Sequence, residues 1–139
     1  MSKNSRILLQ VLGAAMVMLF GVAECAETDK QPKELYLIAK VLDRHLPMQV
    51  DQNTIWSECA STANNTLSYT YKLRGVDIEN MDRIKLISHL KAKASVNYRL
   101  NPTMERLREL KANLKYVYQN EDGKHLFDYV ILYSDIANR

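Results

Sequence analysis

Glycine is scarce in this chain. There are four, and two of them, Gly13 and Gly21, fall in the first 23 residues. A loop that cradles phosphate needs clustered glycines, so nucleotide-binding loops of that kind are excluded. No Gly-x-Ser-x-Gly elbow occurs either. Histidine is equally thin. His45, His89 and His125 lie in different segments, with no His-x-His or His-x-x-x-His spacing and no neighbouring cysteine pair. A zinc site therefore lacks its ligand pattern. Carboxylate pairs such as Glu27/Asp29 and Glu121/Asp122 sit in a polar tail and a tight turn, where nothing takes an acid out of water. Cys59 is followed by an unremarkable Ala60-Ser61 and carries no nucleophile motif. The expectation is a protein that is not an enzyme, with no cofactor and no metal.

The chain does begin with an export pattern. Lys3 and Arg6 precede an uncharged apolar run from Ile7 to Ala23, and a polar stretch starts at Glu24. Positive start, apolar middle and small-residue exit is the order an export machinery reads. Gly21 and Ala23 favour cleavage after Ala23, which makes residues 1–23 a signal peptide. Cleavage after Ala26 is one alternative. An uncleaved anchor is a second, the run of about 17 residues being at the short edge of a bilayer span. A third is acylation of Cys25, whose box Val22-Ala23-Glu24-Cys25 has Glu24 where a small neutral residue is expected. The expected location is periplasmic or secreted, with membrane anchoring as the alternative.

Loss of residues 1–23 leaves 116, enough for one domain and too few for two. We expect a polar tail at 24–33 and a single domain at 34–139. Lys3 and Arg6 leave with the signal, so 17 basic residues face 16 acidic ones. A net charge of +1 gives no footprint for nucleic acid. The charge is uneven, however. Residues 83–115 carry nine cations against Glu105 and Glu109. Such a run commonly only solvates a helical surface. The alternative is a docking face for an anionic partner: an acidic protein, lipid headgroups or an envelope polymer. Cys25 and Cys59 form an even pair, which in an oxidising compartment implies a disulfide. Closing that loop is worth about 3–4 kcal/mol on the loop-entropy model.

Periodicity then gives the elements. Pro32–His45 reads as a helix with Leu35, Ile38, Val41 and Leu42 on one stripe. Thr54–Ser61 reads as a strand. Thr66–Arg74 alternates strictly, with Leu67, Tyr69, Tyr71 and Leu73 to one side. A helix capped by Asp77 and running to about Asn97 places Met81, Ile84, Ile87, Leu90 and Ala94 inward. Thr103–Ala112 is a second helix in this stretch, and Asn113–Gln119 a strand. Asn120-Glu121-Asp122-Gly123 is a hairpin turn. The return strand, from about His125 to Ser134, buries Phe127, Tyr129, Ile131 and Tyr133. The motif Leu-x-Tyr-x-Tyr occurs twice, at 67–71 and 114–118. The expected fold is α+β: a four-stranded antiparallel sheet of two hairpins with about three helices packed on it.

Eight tyrosines stand against two phenylalanines. Tyr69, Tyr71, Tyr116 and Tyr118 either pack with their hydroxyls at the sheet rim or form a binding surface on the sheet face that helices leave bare. With Lys85, Lys93, Arg106 and Arg108 from the basic stretch, they are the candidate binding residues.

From Leu46 onward the layout resembles small envelope pilotins, which deliver type II secretion secretins to the outer membrane. The likeness lies in Leu46-Pro47 before the first strand, Asn65 opening the second, and a helix into Val96-Asn97. It continues in Asn101 with Arg106 and Leu107, Leu114-Lys115-Tyr116, and Asn120 with Gly123-Lys124-His125-Leu126. The resemblance implies lipidation and a disulfide between the later helix and the last strand. Here neither that helix nor that strand holds a cysteine. The functional expectation is a non-catalytic envelope protein whose partner is another envelope protein. An immunity or inhibitor protein against an exported toxin or hydrolase, and a pilotin-like secretion factor, are the alternatives. No nucleic-acid partner is expected, and membrane contact is expected only through an uncleaved signal or an acylated Cys25.

Overall fold

The computed structural model describes residues 33–138. The expected signal peptide and cleavage site, most of the expected polar tail and Cys25 lie outside them. The first helix, α1 (Lys33–Asp43), buries Leu35, Ile38, Ala39, Val41 and Leu42, the expected stripe with Ala39 added. Five strands follow in one sheet: β1 (Met48–Gln49), β2 (Thr54–Thr62), β3 (Thr66–Leu73), β4 (Asn113–Gln119) and β5 (His125–Ile131). Their spatial order is their chain order. Between β3 and β4 run α2 (Arg83–Leu100), a 3-10 turn (Pro102–Met104) and the short α3 (Glu105–Glu109); α4 (Tyr133–Ala137) follows β5.

The α+β class and the two hairpins are as expected. Three details of the sheet differ. The sheet has a fifth strand, β1, whose two residues are too few to show any alternation. The segment 133–137 turns into α4 instead of extending β5. The inner pair β3 and β4 is parallel, so the sheet is mixed and not antiparallel throughout. A parallel pair needs a long crossover, commonly helical, and the segment holding α2 and α3 supplies one.

The parallel register also accounts for the repeated motif. Leu67 pairs with Leu114, Tyr69 with Tyr116 and Tyr71 with Tyr118. Identical side chains thus lie beside each other on one face. Asparagines fix the start of this pairing. Asn64 and Asn65 turn the β2–β3 hairpin at positive φ, which asparagine tolerates. The Asn65 side-chain amide donates to the carbonyls of Leu110 and Lys111 at 2.9 and 3.0 Å. Asn113 N–H donates to the Asn65 carbonyl at 2.8 Å, and the Asn113 amide to the Asn64 carbonyl at 3.0 Å.

Helix α2 starts later than expected. Asp82 is its cap, accepting from the N–H of Lys85, whereas Asp77 forms a local turn with Glu79. Met81 is therefore outside the helix, and Ile84 is 82% exposed instead of inward. Leu86, Ile87, Leu90 and Ala94 pack partly against the core, and the helix is anchored by fully buried Tyr98. The core lies between the helices and one sheet face, where Leu67, Leu107, Leu114 and Ile131 are almost wholly buried.

Candidate functional site

The helix-side face of the sheet is paved with rings. Register places Trp56 opposite Tyr71, Tyr69 beside Tyr116, and Tyr118 opposite Phe127. One row runs Tyr69–Tyr116–Tyr129 with centroids 5.0 and 5.1 Å apart. A second runs Tyr71–Tyr118–Phe127 at 5.3 and 4.7 Å. Trp56 closes the end of both, 5.4 Å from Tyr69 and 6.3 Å from Tyr71. Offset contacts at these spacings each add about 0.5–1.5 kcal/mol beyond area burial. The floor is therefore rigid, and its Trp56 indole N–H is fixed on the Glu58 carbonyl at 3.0 Å.

Helix α2 crosses this floor without closing onto it along its whole length. A cleft of about 570 Å³ remains between them, with Leu90, Ala94 and Asn97 on the helix side and Met48 and Val50 on the other. A second space of about 330 Å³ continues it past Tyr71 and Tyr118 towards Val76 and Leu86. The two share Val50, Tyr71, Leu90 and Tyr118, so together they make one elongated groove.

Burial governs the chemistry of the groove. Removal from water pushes the hydroxyls of Tyr69 and Tyr71 well above the ordinary value near 10, and those of Tyr116, Tyr118 and Tyr129 also rise. The floor is thus uncharged, apolar in its body and dotted with neutral hydroxyls. Among the described residues no group of His, Cys, Asp and Glu could hold a metal ion. Cys59 is buried with a free thiol beside this floor, pushed up by burial and then by Asp43. Its N–H donates to the Asp43 carboxylate at 3.0 Å.

The eight candidate residues divide. Tyr69, Tyr71, Tyr116 and Tyr118 come together, but on the helix-covered face, not the bare one. Lys93 stands at the lip of the cleft. Lys85 is exposed on α2, away from it. Arg106 is held in ion pairs with Glu34 and, at 2.7 Å, with Glu109. Arg108 donates to the carbonyls of Tyr98 and Asn101, both at 2.8 Å, which closes the C-terminal end of α2. Sequence reasoning missed Trp56, Tyr129, Leu90, Ala94 and Met104 as lining residues. The alternation of β5 did carry a signal for Tyr129. Nothing in the sequence announces the gap between helix and floor.

These features define a pilotin-like α+β fold. The pilotin EpsS of the Vibrio vulnificus type 2 secretion system matches with TM-score 0.55 and 16% identity, covering 75% of this chain and 93% of that one. The type II secretion pilotin AspS of Vibrio cholerae matches at 0.52 and 12%, covering 73% and 92%. A candidate secreted protein of Pseudomonas aeruginosa matches at 0.63 and 14%, covering 75% and 90%. The chain itself belongs to the family described as a domain of unknown function, DUF8479, whose model matches residues 31–127. No curated protein matches it.

Proposed function

We propose that this is a non-catalytic accessory protein of the cell envelope that holds a segment of another exported protein in the groove between α2 and the aromatic floor. The groove carries the reading. It is lined by Trp56, Met48, Met104 and five tyrosines, the residue types enriched at interfaces. Its hydroxyls are neutral and can orient a bound backbone without any charge. Likeness to the two pilotins supports a narrower form, in which the segment belongs to a secretion channel and the protein assists its assembly. The export pattern of residues 1–23 supports the envelope as the place of action.

A photo-crosslinking residue at Leu90, on the groove wall, is expected to give a discrete adduct with an envelope protein in living cells. Ala94→Trp, which fills the groove, is expected to abolish that adduct. Equal adducts from Thr70, on the opposite sheet face, would overturn the reading. The narrower form predicts that deleting the gene lowers the amount of assembled secretion channel in the outer membrane. Wild type restores it and Ala94→Trp does not. Intact mass of the exported chain, with and without reductant, reads the cleavage site, any acyl chain and any Cys25–Cys59 bond together.

A further inference from the structure

Helix α2 carries charge of one sign only. Arg83, Lys85, Lys91, Lys93 and Arg99 share its 18 residues with no Asp or Glu. Arg83 is tied to the Leu126 carbonyl at 3.3 Å. None of these five cations takes part in an ion pair among the described residues, all of which involve Arg74, Arg106 or His125. At about 100° per residue, Lys85, Ala92, Lys93, Val96, Arg99 and Leu100 fall within roughly one third of the helix circumference. That third faces away from the side that buries Ile87, Ala94 and Tyr98. It is not simply a solvated face. Leu100 is 65% exposed and Val96 47%. Solvation accounts for the cations and leaves the apolar members without a reason.

From this face we infer that α2 docks the domain on an anionic lipid surface. A bilayer meets both halves of the face at once. Headgroup phosphates pair with the ammonium and guanidinium groups, while Val96, Leu100 and the lysine stems enter the headgroup boundary. The geometry favours a planar partner over an acidic protein. The cations of this face, Lys85, Lys93 and Arg99, are strung along about 21 Å of helix and converge on no point, and the depression between Ala92 and Pro102 is shallow and apolar. The chain length agrees. Nine residues separate Ala23 from Lys33, a reach of at most about 30 Å. The domain therefore stays near the bilayer if the apolar run is retained or Cys25 is acylated. This inference does not depend on the groove.

The test is co-sedimentation of the exported chain with phosphatidylcholine vesicles, with and without phosphatidylglycerol as about a third of the lipid, the additional binding being the readout. Phosphatidylglycerol is expected to raise partitioning, and salt raised from about 0.05 to 0.5 M to remove the increase. Lys85→Ala and Lys93→Ala are each expected to cut that increase about fivefold, and Leu100→Ser to weaken it. Lys115→Ala, on the opposite sheet face, and the groove variant Ala94→Trp should leave it intact. All these positions but Lys115 and Ala94 are exposed, and circular dichroism checks that each variant folds. No increase with phosphatidylglycerol, or an equal loss from Lys115→Ala, overturns the inference. Salt-dependent capture of an acidic protein without vesicle binding overturns it too and assigns the face to such a protein.

Discussion

The hydroxyl of Tyr98 donates to the carbonyl of Ala112 at 2.6 Å, joining the last turns of α2 to the residue that precedes β4. It also reaches the Leu107 carbonyl at 3.1 Å. Tyr98 is fully buried, so water cannot replace it. Tyr98→Phe leaves two buried carbonyls without this donor. The expected cost is about 1–3 kcal/mol, read from the urea midpoint. A loss below about 0.5 kcal/mol would show that the contact does not hold the crossover.

Arg108 works at the same junction. Its guanidinium meets the carbonyl of Tyr98, in the last turn of α2, and that of Asn101, just past its end. Charge-assisted bonds of this kind are worth about 1.5–3 kcal/mol, discounted here because the side chain is only half-buried. Arg108→Ala is expected to lower stability by about 1–2 kcal/mol, and Arg108→Lys to recover part of it. Partner binding at the groove, measured on the folded fraction, should not change. Unchanged stability with lost binding would return Arg108 to the recognition surface.

Alternation, turn chemistry and helical stripes were legible because each is local. Tyr69 and Tyr71 declare the face they share, and Gly123 takes the positive φ its turn requires. Strand direction is not local. Thr66–Leu73 has the same alternation whichever way its neighbour runs, so the sequence could not separate parallel from antiparallel pairing. The echo of Leu67-x-Tyr69-x-Tyr71 at 114–118 was the clue, since a parallel in-register pair sets like beside like. The groove was illegible for another reason. The stripe of α2 specifies which side faces the sheet but not how closely it approaches. Alternation alone therefore left two places for the tyrosines, packed against helices or on a bare sheet face, and they floor the covered one.

Alkaline pH provides a test of that covered floor. Tyr69, Tyr71, Tyr98, Tyr116, Tyr118 and Tyr129 are all raised above the ordinary value near 10, chiefly by burial. Cys59 is raised from 9.0 for the same reason. Once pH exceeds the unfolded values, the unfolded chain sheds protons that the folded chain keeps. Stability is then full below about pH 8.5 and falls as pH rises, by up to about 1.4 kcal/mol per pH unit for each group that ionises only on unfolding. Urea midpoints should be flat from neutral to mildly alkaline pH and drop steeply beyond about pH 9.5. Phenolate absorbance should appear together with loss of circular dichroism. Phenolate formation in a chain that stays folded would mean that water reaches the floor.

The chain has one tryptophan, and it forms the end of the floor. Trp56 is 6% exposed, packed on Tyr69 and Tyr71, with its N–H satisfied by Glu58. Its emission should therefore lie to the blue of free tryptophan and resist external quenchers. An occupant of the groove packs beside the indole and Tyr71, so binding there is expected to shift or quench Trp56. An occupant of the outer face of α2 touches neither ring. Titration with phosphatidylglycerol vesicles should thus leave Trp56 emission unchanged while the protein sediments with the lipid. A peptide from a groove partner should change the emission, and Ala94→Trp, which adds a second indole, is unsuited as the control. Ala94→Phe fills the same space and should suppress the peptide's effect alone. If vesicles move Trp56 as strongly as the peptide does, the groove and the outer face of α2 are not separate sites.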